Sequence, residues 1–328
     1  MIRILNEKEI KGLISLRSSV IETIETAFSE LDKGNALVPP IMMIPVPEKM
    51  GEVDIKSAYI KGYDQLAIKV VSGFFQNNRL GLPSQSGQML VVSAETGFLQ
   101  GVLLDNGYLT QVRTGAAGAV AAKYLAPQTA DNVGVIGSGV QARFQMEALM
   151  HVRPFSTVRM FSLDSDEEKD RYVQDMQQEL EVEVLKAPSI EAVVKESAVV
   201  VTTTPSRKGF IKSEWLHPGL HITAMGSDTE EKQELEPDVL SRADLVACDL
   251  KSQCFVLGEL RGAVAVNLMP EDSPVAELGA IINGKTHGRT DGRQITVCDL
   301  TGVGVQDTMI AIKALEIAAE RDVGLIIS

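Results

Sequence analysis

Residues 133–142 read Val133-Gly134-Val135-Ile136-Gly137-Ser138-Gly139-Val140-Gln141-Ala142. A β-branched run, Val133–Ile136, enters a turn of the form G-x-G-x-x-A. An amphipathic helical stretch, Gln141–Met150, leaves it. This is the strand–turn–helix setting that the dinucleotide fingerprint requires. Gly137 permits the tight turn, Gly139 lets a pyrophosphate approach the backbone, and Ala142 lets the helix pack on the strand. The start of the helix offers free N–H groups and a partial positive charge to phosphates. Gly137, Ser138, Gly139, Val140 and Gln141 are therefore candidate cofactor contacts. The plain alternative is a glycine-rich βα turn with no ligand.

Strand-like runs continue on both sides of this turn. They are Asn132–Ile136, Thr157–Phe161, Val182–Leu185, Ala198–Thr202, His221–Ala224, Leu245–Cys248 and Gln294–Val297, with helical stretches such as Glu167–Leu180 between several of them. The alternation predicts an α/β, Rossmann-type doubly wound parallel sheet over residues 129–302. The strand after the fingerprint ends in Phe161-Ser162-Leu163-Asp164-Ser165-Asp166. It offers no Arg or Lys for a 2′-phosphate. Asp164, or Ser162 in its place, is positioned to accept from a ribose diol, so NAD is favoured over NADP. A helix-capping role for Asp164 is the alternative.

The first third has a different texture. Ser19 and Glu22 fit a capping box, Val20, Ile24, Phe28 and Leu31 form an apolar stripe, and Gly34 with Pro39 and Pro40 stops the helix. Short β-like runs follow at Ile41–Val46, Val53–Tyr59, Leu66–Ser72, Gln88–Ser93 and Phe98–Leu104, which predict an antiparallel or mixed sheet. An Ala-rich helical segment covers Arg113–Leu125. A final amphipathic helix, Val305–Glu320, is expected to return to this first domain. That makes a discontinuous α+β domain of residues 1–128 plus 303–328.

Composition narrows the function classes. The chain has 328 residues, 45% hydrophobic and 23% charged, enough apolar material for a large core. Its 31 basic and 44 acidic residues leave a net charge of 31 − 44 = −13. That balance disfavours a nucleic-acid backbone and an anionic membrane surface as partners. The longest stretch without a charged residue, Leu80–Ala94, is interrupted by Pro, Ser and Gln, so no membrane span is expected. The N-terminal MIRILNEKEIKG is charged too early for a signal peptide. Cys248, Cys254 and Cys298 suit free thiols in a reducing cytoplasm. His151, His217, His221 and His287 are too scattered to nominate a metal site.

Several further segments are similar to the ornithine cyclodeaminase/mu-crystallin family. They are Ala67-Ile68-Lys69-Val70, Gly81-Leu82-Pro83, Gln111-Val112-Arg113-Thr114-Gly115-Ala116-Ala117, the Gly137–Arg143 turn, Gly226-Ser227-Asp228 with Lys232, and Asp299–Asp307. They run in order over nearly the whole chain. GEVDIKSAY, VVSGFFQNNRLGLPS and LLDNGYLTQVRTGAAGAVAA most resemble the ectoine-utilisation cyclodeaminase-like and iminosuccinate reductase branch. The resemblance implies a nicotinamide domain, a substrate and dimerisation domain, a homodimer, and hydride transfer at C2 of an amino acid or its imine.

Within that resemblance the residues take roles. Lys69 stands in an apolar β-run, where burial lowers an ammonium's pKa and makes it a usable proton donor to an imine nitrogen. A salt-bridged structural lysine is the alternative. Arg113 opens the Ala-rich helix and is suited to a carboxylate, while the family uses it at substrate, cofactor or both. Asp228 follows a strand at the carboxyl edge of the parallel sheet and corresponds to the Asp that assists amine deprotonation in cyclodeaminases. A solvated or capping Asp is nearly as well supported. Thr114, Thr202, Thr203, Met225, Gly226 and Gly302 are candidate cofactor-lining positions, and Lys232 a phosphate or carboxylate contact.

One departure bears on the substrate. Relatives carry an Arg just after the Pro-Pro pair, whereas this chain reads Pro39-Pro40-Ile41-Met42-Met43. Lys56 is the nearest strand-borne cation to replace it. Convergence of Lys56, Lys69 and Arg113 would suit a dicarboxylate better than cationic ornithine. The expectation is an NAD-dependent imine reductase or amino-acid dehydrogenase, with iminosuccinate to aspartate as the best substrate. The alternatives are an ornithine-type cyclodeaminase, an alanine-type dehydrogenase, and a non-catalytic crystallin-like binding protein.

Overall fold

The computed structural model describes residues 1–74, 76–270 and 272–328. These divide into two units, residues 1–113 with 303–328, and residues 114–302. The first division falls inside the helix Tyr108–Leu125, not at 128/129. The helix past Arg113 packs with the second unit: Gln145 Nε2 donates to Thr114 O at 2.9 Å. A β-carbon on Gly118 would lie 1.9 Å from Gln145 Oε1, so the Ala/Gly composition of this helix is what allows the approach.

In the first unit the sheet order is Leu325–Ile327, Ile2–Asn6, Leu99–Leu104, Gln85–Ser93, Gln65–Phe74, Gly51–Ile60, Ala36–Leu37, with Met42–Val46 paired to Gly51–Ile60. The sheet is antiparallel except where Ile2–Asn6 runs parallel to Leu99–Leu104. Side chains alternate across the pleat, so one cross-strand row reads Lys56, Lys69, Met89, Leu103, Leu5. All five are buried. The helices Ser18–Asp32 and Gly304–Glu320 supply further core through Ile24, Phe28, Ile310 and Ala314. The expected capping box at Ser19 and Glu22 does not form. The helix begins at Ser18 with Arg17 as an N-cap that makes no side-chain bond, because the chain turns helical one residue before Ser19 could cap it.

The second unit is a parallel sheet in the order Glu183–Lys186, Thr157–Phe161, Asn132–Ile136, Val199–Thr202, His221–Ala224, Thr296–Asp299, Leu245–Cys248, Ala276–Glu277. Numbered in chain order, the first five strands lie 3-2-1-4-5, the doubly wound arrangement. Its reversal point lies between Asn132–Ile136 and Val199–Thr202, where such sheets bind ligands at their carboxyl ends. Apolar cores on the two faces include Val133, Met146 and Tyr172 on one side, and Val200, Ile222 and Leu260 on the other. Among the described residues no helix is long and apolar enough to cross a membrane.

Candidate active site

Two groups of polar side chains stand out, one in each unit. In the first unit they form around Asp307, in the first turn of the helix Gly304–Glu320. That helix is pinned to the sheet by Thr308. Its hydroxyl donates to Ala58 O at 2.8 Å and accepts from Ala67 N at 3.2 Å, bridging two residues paired in register. Gly304 permits the contact, since a β-carbon there would lie 2.2 Å from Ser57 O. The pin sets Asp307 over the next row of the sheet. Lys69 Nζ lies 3.1 Å from its Oδ1 and 3.0 Å from its Oδ2.

Arg113 reaches the same carboxylate. Its Nε approaches Asp307 Oδ1 at 2.9 Å as a charge contact off the hydrogen-bond line, and its Nη1 donates to Gln306 Oε1 at 2.8 Å. The helix that carries Arg113 is started by Asp105, which accepts from Leu109 N at 2.7 Å. Burial lifts the Asp105 carboxyl to about 6. Lys56 stands directly opposite Lys69 across the strand pair, and its charge acts on both Lys69 and Asp307.

Burial dominates the electrostatics of this group. It lowers the Lys69 ammonium, the Arg113 charge lowers it further, and Asp307 opposes both, leaving a pKa of about 7. Burial alone would raise Asp307, but Arg113, Lys69 and Lys56 together hold its carboxyl below the usual range. The geometry thus holds an amine poised between its two protonation states, fixed by a carboxylate, beside two further cations, Arg113 and Lys56. An isolated structural ion pair needs only the carboxylate. Asp307 and Gln306 were missed as site residues in the sequence. Their segment was recognised, but nothing local distinguishes an Asp in a helix's first turn from a surface one.

The second unit's group surrounds the fingerprint. Gly137 has φ of +114°, and a β-carbon there would lie 2.6 Å from Thr203 Oγ1. Gly139 is the N-cap of the helix Val140–Val152, makes no side-chain cap, and faces open space, with nothing within 4 Å of a β-carbon built on it. That opening at the N-terminus of a 13-residue helix fits a pyrophosphate. Ser138 bonds to Ser162 (3.2 Å) and to Asp164, and Ser162 donates to Asp164 at 2.6 Å. The turn and the following strand end are thereby joined at one carboxylate, placed to meet a ribose diol and to repel a 2′-phosphate. The residues present fit a dinucleotide.

The remaining candidates lie in the same unit. Thr203 N and Oγ1 both bond to Ile136 O, at 3.0 and 3.2 Å. Thr202 Oγ1 donates to Glu234 at 2.5 Å, Thr204 N at 2.6 Å and Gly226 N at 2.7 Å. Glu234, another residue missed in the sequence, therefore ties the ends of two adjacent strands beside the reversal point. Met225 is buried, Val140 is exposed, and Gln141 lies 3.4 Å from Gln145 Nε2. Gly302 N donates to Asp249 at 2.7 Å. Asp228 is exposed and takes Lys232 Nζ at 2.6 Å, so this lysine faces a carboxylate of its own loop. Among the described residues no cluster suited to a metal ion is found.

The chain is similar to known proteins along nearly its whole length. The ornithine cyclodeaminase/mu-crystallin family model matches residues 2–321. An uncharacterized cyclodeaminase of Sinorhizobium fredii is 43% identical, over 98% of this chain and 97% of that one. An iminosuccinate reductase of Paracoccus denitrificans is 33% identical over 97% of both. Among solved structures, a Thermococcus litoralis Δ1-pyrroline-2-carboxylate reductase in complex with NADH and L-proline superposes with a TM-score of 0.94 at 30% identity, covering 99% of this chain and 100% of that one. An archaeal alanine dehydrogenase dimer with bound NAD gives 0.92 at 34%, covering 100% and 99%.

Proposed function

The chain belongs to the ornithine cyclodeaminase/mu-crystallin family, and within it we propose an NAD-dependent reductase of a small imino dicarboxylic acid, iminosuccinate to L-aspartate. The coarser activity, NAD-dependent oxidoreduction at an imine or amine carbon, follows from relatives that reduce imino acids or oxidise amino acids. The substrate rests on one observation: Lys69 and Arg113 both pair with the single carboxylate of Asp307, and Lys56 stands opposite Lys69 across the strand pair. A field of three cations favours a dianionic ligand over ornithine, whose side chain adds a further positive charge.

The chain's residues divide the work. Arg113 and Lys56 hold the substrate carboxylates, and Arg113 is itself held by Gln306. A nicotinamide held by the glycine turn would supply the hydride for C2. Lys69 delivers a proton to the imine nitrogen, so that the C=N bond becomes CH–NH and the charge balances. Asp307 keeps the Lys69 amine aimed and stabilises its protonated form. Ser138, Ser162 and Asp164 hold the adenosine ribose, and the N–H groups after Gly139 take the pyrophosphate. Asp228 is assigned to steadying the imine, and a homodimer is assigned as in the alanine dehydrogenase relative.

An NADH-oxidation screen tests this. Oxaloacetate with ammonia should be turned over faster than pyruvate or glyoxylate with ammonia. Lys69→Ala should cut reduction by about 10²–10⁴-fold, the usual weight of a general acid, with NADH binding retained. Proline formation from ornithine without net NADH change would replace this reading with the cyclodeaminase one. Preference for pyruvate would replace the substrate alone.

A further inference from the structure

Gln306 is fully buried, and its two amide ends are in different situations. Its Oε1 accepts from Arg113 Nη1 at 2.8 Å. Its Nε2 has no hydrogen-bond partner among the described residues. Flipping the amide does not resolve this, because an NH2 facing a guanidinium sets donor against donor. The oxygen is therefore committed to Arg113, and the NH2 group is left with unmet donors in the interior. Buried polar groups are nearly always satisfied, and an exception calls for an acceptor other than the protein's own groups, a water or a ligand. The residue lies in the first turn of the helix Gly304–Glu320, whose N-terminal end adds partial positive charge. Its chain neighbour is Asp307, which already pairs with Lys69 and Arg113. An anion entering this group meets one neutral amide donor, the cations of Lys56, Lys69 and Arg113, and the Asp307 carboxylate that already pairs with two of them.

We propose that Gln306 is a direct ligand of the substrate carboxylate, donating through Nε2 while its oxygen holds Arg113, and that a neutral donor at this position tunes the site toward dianionic substrates. The proposal rests on the reading of an anionic imino acid held by Arg113. A Glu here keeps an acceptor for Arg113 but removes the donor and sets a second carboxylate beside Asp307. A Met here removes both functions at similar volume.

The test uses unreactive probes, so it does not depend on turnover. Succinate and propionate are titrated against the NADH-bound protein, with NADH fluorescence as the readout, for the unaltered chain, Gln306→Met and Gln306→Glu. NADH affinity and melting temperature serve as folding controls. Succinate binding should weaken tenfold or more in Gln306→Met. In Gln306→Glu it should weaken at least as much, with a larger loss for succinate than for propionate. If Gln306 only holds Arg113 in place, adding Gln306→Met to an Arg113→Met background causes no further loss of succinate binding, and the proposal is overturned; a direct ligand gives a further loss there. It is also overturned if both variants stay within twofold, or if the unaltered chain binds neither probe. Should Gln306→Met fail to fold, Gln306→Leu takes its place in both backgrounds. A chain that binds succinate through Gln306 but oxidises no NADH with any imino acid refutes the catalytic reading and leaves this one standing.

Discussion

Lys69 carries a testable consequence of its own. Its pKa of about 7 lies well below an ordinary lysine's because burial, and then the Arg113 charge, disfavour the ammonium. As the proton donor in reduction it must be protonated, so kcat/KM for imine reduction should fall as pH rises through about 7. A profile flat from about pH 6 to about pH 9 would remove Lys69 as the acid. Stability follows the same titration. The unfolded chain binds more protons between about 7 and the ordinary lysine value of 10.5, so this residue's contribution improves as pH rises across that window. Its penalty is present in full below about 7. Lys69→Met should flatten that part of the denaturation midpoint against pH. Lys69 and Arg113 were legible because a cation in an apolar run, or just before an Ala-rich one, is locally anomalous, although the helix begins at Tyr108 and Arg113 lies inside it instead of opening it. Asp307 was not, because its meaning comes from a lysine 238 residues away in the chain.

At the scale of elements, the helix Gly304–Glu320 sets the distance on which this chemistry depends. Gly304 passes the backbone of Ser57 so closely that even an alanine cannot be fitted without moving the helix. Gly304→Ala should therefore destabilise the protein by about 1–3 kcal/mol, the usual cost of overpacking. It should also reduce turnover beyond what the loss of folded protein explains, since Thr308 and Asp307 move with the helix. A thermal melt compared with activity per folded molecule checks this, and unchanged activity would mean that the helix is not what positions Asp307. Elements with strong periodicity were legible in the sequence. Short ones were not: the helix Glu7–Leu13, whose capping box is Asn6 with Glu9, and the strands Ile2–Asn6 and Leu325–Ile327 were passed over. The two strands are held by long-range pairings, Ile2 with Ile327 across nearly the whole chain and Arg3 with Gly101 across its first third, which no local window contains.

For the whole molecule, alternation of strands and helices was enough to reach a doubly wound sheet, but not the order of its later strands. Thr296–Asp299 comes last in the second unit yet inserts between His221–Ala224 and Leu245–Cys248. It leaves the sheet at its carboxyl end, where Asp249 takes the N–H groups of Thr301 and Gly302 at 2.9 and 2.7 Å. The chain then enters the first unit at Val303. That unit carries large apolar side chains in the open on its strands, among them Leu37 (64% exposed), Met42 (57%), Ile44 (49%) and Leu325 (63%). Isolated exposed apolar residues are ordinary, but Leu37, Met42 and Ile44 gather at one end of the sheet, on two strands paired to Gly51–Ile60, where the partner of the homodimer proposed above is expected to cover them; Leu325 lies at the other end. With a net charge of −13, two copies also repel at long range, so association must come from apolar burial and not from charge attraction. The expected particle has twice the 35.4 kDa of the chain, and raising the salt should not dissociate it. Sedimentation at low and high ionic strength reads both points, and a particle of single-chain mass at micromolar concentration would leave those side chains without a partner of this kind.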